Sequence, residues 1–326
     1  MSACIEIVSA GILSTIQDAG RKGFQGSGFQ VSGCMDMHAY HDANALVNNP
    51  LDMPVIEMLF MGIKVIFRAN TYFAVTGARA PIKLNGKEIH SYNTYMAHYG
   101  DELEIGVASS GRFLYLAIAG GFDLPRVMGS FSTNLKCKIG GFHGRALAAG
   151  DCIGIEEYCG FFPNLYLKKM PVPGYIENKD EILLYVIAGP QISYFTDRGI
   201  DTFSTQSYCV TNESVRMGYR IEGPEIEYRD SVDILSDGIV FGSIQVPSSG
   251  KPMILMADRQ TTGGYAKIAT VISADLPKLA QCMPERKLSF CFVSMKEARK
   301  RNKRYDKELK SFRRKCGYYL NRRDAK

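Results

Sequence analysis

The sequence predicts a mainly β fold, a β-rich α+β chain, and three observations carry that reading. Short apolar or alternating runs recur along most of its 326 residues. Gly, Asn and Asp turns separate them at close intervals, as in sheets of short strands. Only three stretches show helical spacing. The length suggests about two domains, and a hydrophobic content of 46% is enough to build sizeable cores. No apolar run approaches the roughly 20 residues that span a bilayer. The opening MSACIEIVSAGILSTIQDAGRKG lacks a positive n-region and reads as a first strand, not a signal peptide. A soluble, cytoplasmic protein is expected.

Residues 1–170 are read as an N-terminal β-rich domain, with strands in CIEIV, VIEMLFMGIKVIF, YFAVTG, ELEIGV and RFLYLAIAGG. Its one helix is DMHAYHDANALV, with Asp36 as N-cap. The segment 159–181, with three prolines and a charge cluster, reads as a linker or an excursion. Residues 171–295 form the C-terminal domain, with strands in ILLYVIAG, EIEYR, GSIQVP, PMILMAD, KIATVIS and KLSFCFV. In it SADLPKLAQCM predicts a short helix interrupted by Pro277. Residues 296–326 are a basic helical tail. Ser294 and Glu297 make a capping box. Ala298, Asn302, Tyr305, Leu309 and Phe312 then fall at 4-3-4-3 spacing, and Gly317 is a natural stop.

The net charge of +6 belongs to that tail. Residues 296–326 carry 14 Lys/Arg against 4 Asp/Glu, and the rest of the chain carries 25 against 29. A docked helix with a solvated basic face accounts for this. Without interleaved aromatics or a known motif, neither a nucleic-acid nor a membrane partner is expected. The nine cysteines (4, 34, 137, 152, 159, 209, 282, 291 and 316) form no CxxC pair and read as free thiols of a reducing compartment.

Candidate chemistry lies on four loops. The first runs through Asp18, Gly20, Arg21, Gly23, Gly26, Gly28, Gly33 and Asp36. Its glycines let backbone amides approach a ligand, and Arg21 offers a fork for carboxylate or phosphate. A tight hairpin with Asp18 paired to Arg21 explains it equally well. The second holds Ser130, Ser132, Thr133, Gly140, Gly141, Gly144, Arg145 and Asp151, either an anion nest or a ligand-free Ser-Thr turn. The third is Arg216-Met217-Gly218-Tyr219-Arg220. The fourth, Asp258-Arg259-Gln260-Thr261-Thr262-Gly263-Gly264-Tyr265, joins two apolar strands and suits an amide or carboxylate substrate.

Other chemistries find no pattern. A Walker-type phosphate loop, a GxSxG elbow and a Met-Lys-Met biotinylation segment are all absent, so the chain is not expected to carry covalent biotin. His38, His41 and Asp42 have metal-ligand spacing on one helix, but no fourth ligand is apparent. An exposed helix face explains them more simply, and no metal site is expected.

In this order the four motifs resemble the allophanate hydrolase subunit 2 family, also called the KipI-antagonist or biotin-dependent carboxyltransferase-like family. The likeness rests on STIQDAGRKGFQGSGFQVSGCMD, GSFSTNLKCKIGGFHGRALAAGD, ESVRMGYRIEG and GSIQVPSSGKPMILMADRQTTGGYAKIATV. Bacterial members include the C-type subunit of the ATP-dependent 5-oxoprolinase. The resemblance implies cyclophilin-like β-barrel modules, with the C-terminal half forming a barrel. It also implies a KipI-like partner of the allophanate hydrolase subunit 1 type, a LamB/YcsF-type subunit, and ATP with Mg2+ shared with the partner. The activity it implies is opening of the 5-oxoproline lactam to glutamate. Two alternatives stay open: a carboxyltransferase acting on urea or a related amide with a separate biotin protein, and a non-catalytic antagonist of a KipI-like kinase inhibitor.

On this reading Asp258, Gln260, Thr261, Thr262 and Arg216 are the candidate catalytic residues. Asp18, Arg21, Gly28, Gly33, Asp36, Ser130, Ser132, Thr133, Gly140, Gly141 and Arg145 join Met217, Gly218, Arg220, Gln245, Gly263, Gly264 and Tyr265 as candidate substrate-binding residues. Three turns depart from the family pattern. Asn48 stands for the glycine of Leu-Val-Gly-Asn, Ala266 for the proline of QTTGGYP, and Glu285-Arg286 for the Gly-Asp of Pro-Gly-Asp.

Overall fold

The computed structural model describes residues 3–156, 168–177, 180–229 and 233–315. Two compact units divide the chain. Met1–Lys22, Ser32–Glu177 and Glu308–Lys326 make the first, and Gly23–Val31 with Asn178–Lys307 the second.

The first unit contains strands β1 (Cys4–Ser9), β2 (Ser14–Gln17), β3 (Val55–Leu59), β4 (Lys64–Phe67), β5 (Thr71–Arg79), β6 (Ile82–Leu84), β7 (Lys87–Ile89), β8 (Thr94–Ala97), β9 (Glu102–Ile105), β10 (Ser110–Ile118) and β11 (Cys152–Gly154). They form a six-stranded sheet, β11-β1-β4-β9-β6-β7, and a five-stranded sheet, β2-β3-β10-β5-β8. Ile5, Ile7, Val65, Phe67 and Leu103 from one sheet meet Ile16, Ile56, Phe73, Leu114 and Leu116 from the other in a single core. Helix α1 (Met37–Leu46) packs on β5 and β10. Both faces of β10 are therefore covered, and all nine of its residues are buried. Such a strand reads as a continuous apolar run rather than an alternating one.

Helix α1 starts where expected. The Asp36 carboxylate accepts from the amides of His38 and Ala39, both at 3.0 Å. The exposed face expected for His38, His41 and Asp42 is corrected. Asp42 is buried, bonded to His38 Nε2 at 3.1 Å and to Arg313 Nε at 3.1 Å. Burial, reinforced by the Arg313 charge, draws the His41 imidazole down to about 3. The free-thiol expectation is also corrected at one place. Antiparallel pairing of β1 and β11 sets Glu6 opposite Cys152 and Cys4 opposite Gly154. Cys4 and Cys152 are joined there as a disulfide, their Cα atoms 5.9 Å apart.

The second unit contains β12 (Glu181–Ala188), β13 (Tyr208–Val210), β14 (Gly218–Glu222), β15 (Asp233–Gly238), β16 (Ser243–Gln245), β17 (Met253–Leu255), β18 (Thr262–Tyr265), β19 (Lys267–Val271) and β20 (Lys287–Phe292). Seven of them close a barrel in the order β12-β19-β16-β17-β14-β13-β20, sealed by parallel pairing of β12 with β20. This is the barrel expected of the C-terminal half. β15 and β18 stand apart as a two-stranded sheet. Helix α2 (Asp197–Thr205), which the sequence reading passes over, sends Phe203 onto Phe290 with ring centroids 4.5 Å apart. Full burial of such a ring contributes about 1.5–3 kcal/mol.

Three further expectations change. EIEYR forms no strand; Tyr228 makes only an isolated bridge to Phe195. Pro277 does not interrupt a helix but stands in the first turn of α3 (Leu276–Ala280), where its missing amide costs nothing. The linker expected over 159–181 falls partly outside the described residues, as does Gly317. Helix α4 (Met295–Lys315) begins as foreseen, the Glu297 amide donating to Ser294 Oγ at 3.2 Å. Ala298 and Leu309 are buried, whereas Phe312 is 47% exposed. Arg313 takes the inward position instead, drawn to Asp42.

Two of the departing turns have left-handed backbone. Asn48 and Glu285, where the family pattern has glycine, both sit at positive φ, +56° and +67°. Asn48 compensates by accepting a hydrogen bond from Lys168 Nζ. Among the described residues no helix is long and apolar enough to cross a membrane.

Candidate functional site

The first two loops meet inside the first unit around Asp18, which is 4% exposed. Its carboxylate accepts from Ser130 Oγ at 2.7 Å, Ser132 Oγ at 2.5 Å, the Phe131 amide at 2.7 Å and the Gly20 amide at 2.8 Å. Arg21, fully buried, donates to the carbonyls of Val127 and Ser132 at 3.1 and 3.0 Å. Thr133 Oγ1 donates to the Ile16 carbonyl at 3.0 Å. The glycine pair closes the arrangement. A Cβ on Gly140 would lie 2.2 Å from the Ser132 carbonyl oxygen, and one on Gly141 would lie 1.9 Å from Thr133 Oγ1. The anion expected in this nest is therefore supplied by the chain itself. Serine hydroxyls and backbone amides that suit a bound carboxylate already hold one, sealed from solvent.

The other first-unit residues are likewise engaged. Asp36 caps α1 and also accepts from the Tyr175 hydroxyl at 3.0 Å. Gly33, at φ +90°, lets the chain pass against Gly20. Arg145 grips both Asp151 oxygens at 2.7 Å, and that guanidinium holds the Asp151 carboxyl below its ordinary range.

In the second unit the third and fourth loops come together. Arg216 donates from Nε to Asp258 Oδ2 at 2.8 Å and from Nη2 to Oδ1 at 3.1 Å. The two side chains are 8% and 20% exposed. Backbone bonds continue the pairing. The Met256 amide donates to the Met217 carbonyl at 3.0 Å, and the Asp258 amide to the Arg216 carbonyl at 2.9 Å. Both Asp258 oxygens thus face a guanidinium fork, which suits an orienting role better than that of a free base. Gly218 lies buried at the head of β14, and Met217 is at the surface. Gly28 ends a short 3-10 turn of this same unit, in a left-handed conformation.

The fourth loop then turns outward. Gln260, Thr262 and Tyr265 are exposed, and Thr261, Gly263 and Gly264 are half-buried. The side chains of Gln260, Thr261 and Thr262 make no hydrogen bond among the described residues. Their floor is firm. Gln245, 3% exposed, donates from Nε2 to the Tyr265 carbonyl at 3.1 Å. A Cβ on Gly263 would come within 2.8 Å of that same nitrogen, so the strand lies on Gln245 only because residue 263 is glycine. Tyr265 also borders a cavity of about 380 Å³, with Arg220, Lys251, Glu213, Glu222 and Ser249 on its walls. Arg220 stands 3.4 Å from Glu213 and Lys251 3.8 Å from Glu222, all four more than two-fifths exposed. Such pairs are weak and yield readily to a ligand.

Sequence reasoning missed the supporting residues. Gln30 donates to the Asp258 carbonyl, fixing the loop from below. Lys267, only 3% exposed, bonds Asp237 at 2.7 Å, and Gln191 Nε2 adds a second bond to that carboxylate at 3.2 Å. The Lys267 bond above all draws Asp237 down to about 2. A lysine opening an apolar strand directly after TTGGYA was the signal available. Arg259 is buried, its guanidinium donating to the Ile239 and Met256 carbonyls at 3.3 Å, and burial lowers its pKa.

Known proteins share this fold. A family model described as carboxyltransferase domain, subdomain A and B, matches residues 27–292. The C-type subunit of the Haemophilus influenzae 5-oxoprolinase is 36% identical over 310 residues, 95% of this chain and 98% of that protein. The urea amidolyase of Lachancea kluyveri is 30% identical over 94% of this chain, which spans 18% of that protein's length. The crystal structure of the Kluyveromyces lactis urea amidolyase superposes with a TM-score of 0.89 at 27% identity, covering 95% of this chain and 20% of that one.

Proposed function

This chain belongs to the carboxyltransferase-domain family, subdomains A and B, and on that premise we propose that it is a subunit of an ATP-dependent 5-oxoprolinase. Its task is to hold the 5-oxo-L-proline lactam and polarise its carbonyl for opening to glutamate. The observation that carries this reading is the contrast between loops. Among the described residues Gln260, Thr261 and Thr262 keep polar side chains without a hydrogen bond, the first and last exposed and Thr261 half-buried, on a floor fixed by Gln245 and the Arg216–Asp258 clasp. The near full-length similarity to the C-type subunit of a 5-oxoprolinase supports the choice of substrate.

A lactam resists attack because resonance spreads the nitrogen lone pair into the carbonyl. Donors aimed at the carbonyl oxygen stabilise the imidate-like charge that activation develops there, each contributing about 3–4 kcal/mol. The Gln260 amide and the Thr261 and Thr262 hydroxyls are those donors in this proposal. Arg220 and Lys251, released from their weak partners, receive the substrate carboxylate in the neighbouring cavity. Asp258 holds Arg216 and, through the shared backbone bonds, the loop.

Neither the cavity beside Tyr265 nor the nest around Asp18 suits a triphosphate. The cavity sets two carboxylates against its two cations, the buried nest already contains Asp18, and no three His, Cys, Asp or Glu among the described residues are grouped to hold a metal. In this proposal a KipI-like partner supplies most of the site for ATP and Mg2+, and a LamB/YcsF-type subunit finishes the hydrolysis in the cytoplasm. The test is reconstitution with that partner and measurement of 5-oxoproline-dependent ATP hydrolysis. Stimulation by 5-oxoproline is expected, and Gln260→Ala should lower kcat by about 10²–10³-fold. A second reading, carboxyl transfer to urea or a related amide from a separate biotin protein, is favoured by the superposition on a urea amidolyase. Biotin-dependent carboxylation without any response to 5-oxoproline would establish it in place of the first. Inhibition of a KipI-like kinase inhibitor with neither activity would leave the antagonist role.

A further inference from the structure

The outer face of α4 carries a charge pattern that the amide-handling site does not use. Lys296, Lys300, Lys303, Lys307, Lys310 and Arg314 follow one another at 4-3-4-3-4 spacing, and all six are exposed. At 100° per residue they fall within about 40° of one line, a stripe about 27 Å long. The three acidic residues of the helix, Glu297, Asp306 and Glu308, lie about 80–120° to the sides of that line. None of the six stripe residues has an ion-pair partner among the described residues. Like charges at i, i+3 and i+4 repel along the whole length. A facing row of anions relieves that repulsion.

The opposite face is anchored, so the stripe is presented on a fixed support. Ala298 is buried, Asn302 Oδ1 accepts from the Ala274 amide at 3.0 Å, and Arg301 lies 3.7 Å from the centroid of the Tyr185 ring. We propose that this stripe is a docking surface for an acidic segment of a partner protein, a helix bearing Glu or Asp at matching spacing. Four observations favour that occupant. The first 295 residues carry 25 Lys/Arg against 29 Asp/Glu, so they add no net positive charge with which to hold a long polyanion. The stripe has no aromatic residue on which bases could stack. It also lacks apolar side chains to enter a bilayer, since the exposed Phe312 lies about 160° from its centre line. Five of its six cations are lysines, point charges that match single carboxylates.

The test uses the full chain and a synthetic 21-residue helical peptide with glutamates at 4-3-4-3-4 spacing. Fluorescence anisotropy is read at low salt and again near physiological salt. Binding is expected at low salt, and it should weaken at least about tenfold when three lysines are reversed in the Lys300→Glu, Lys303→Glu, Lys307→Glu variant. The three side chains are solvated, so circular dichroism should show the variant folded. A variant that unfolds is replaced by the corresponding triple glutamine. No binding at low salt, or binding that the variant leaves unchanged, would overturn the proposal. So would tighter binding of a 20-base-pair duplex or of phosphatidylserine vesicles, which would assign the face to nucleic acid or membrane.

Discussion

Replacing Arg216 with alanine should destabilise the second unit and loosen the loop that follows Asp258. The wild-type guanidinium makes two bonds to the Asp258 carboxylate, at 2.8 and 3.1 Å, in a site where Arg216 is 8% exposed and Asp258 20%. Removing one partner of a buried ion pair costs about 3–5 kcal/mol, because the remaining charge is stranded. Asp258 keeps some contact with water, so the expected loss is smaller, about 2–3 kcal/mol. With a urea dependence of about 2 kcal/mol per molar, the midpoint should fall by roughly 1 M. The chain has no tryptophan, so circular dichroism follows unfolding. Hydrogen exchange across residues 253–265 reports the loop directly, through the Asp258 amide that donates to Arg216. An Arg216→Met, Asp258→Leu double variant should recover most of the stability, giving a coupling energy above about 1 kcal/mol. A loss under about 0.5 kcal/mol in Arg216→Ala, or strictly additive single effects, would refute the clasp.

Other outcomes follow from single contacts. Gly141→Ala places a Cβ at 1.9 Å from Thr133 Oγ1 with φ at +55°, and thermal denaturation should show a loss above about 2 kcal/mol. Glu285→Gly relieves a positive φ. The chain entropy regained on unfolding offsets part of this, so a net gain of about 0.5–1 kcal/mol in urea is expected. In Lys267→Met the Asp237 carboxyl should move from about 2 back toward 3.8, as followed by NMR titration. The half-buried His41 is neutral when folded, with a pKa of about 3 against 6.5 unfolded. The unfolded chain therefore binds the extra proton between these values, and stability should fall as pH drops through 6.5. The decline is about 1.4 kcal/mol per unit. It should vanish in His41→Gln, and an unchanged slope there would place the proton elsewhere.

Much of the fold was legible where one residue type dictates one local geometry. Asp36 and Ser294 each supply an oxygen to orphan amides, and both helices begin there. The barrel strands were readable as apolar runs between turns. Helix α2 was not, because only Gly199 and Phe203 of its nine residues are buried, too few to set a period. Phe312 was placed inward by its spacing, yet a buried carboxylate at Asp42 draws Arg313 inward instead. Local pattern carries no knowledge of a charge 271 residues away in sequence.

For the site, the sequence displayed donors, acceptors and glycines without saying which satisfy one another. The structure separates two kinds of polar motif that look alike on paper. Around Asp18 two serine hydroxyls and two backbone amides converge on an internal anion, Thr133 is spent on the Ile16 carbonyl, and Gly140 and Gly141 are glycines so that the shell can close. Around Gln245 the glycine does the opposite work. Gly263 lets β18 rest on the buried amide, and the side chains of Gln260, Thr261 and Thr262 beside it make no hydrogen bond among the described residues. A buried polar group must find its partner within the fold, whereas an exposed one on a rigid support is available to a ligand. By that criterion Ser130, Ser132 and Thr133 act as scaffold, and the fourth loop is the one we propose for substrate recognition. Ser132→Ala should accordingly lower stability and leave kcat of the reconstituted complex near wild type, while Thr262→Ala should do the reverse. If the two variants exchanged these effects, the division between scaffold and site would be wrong.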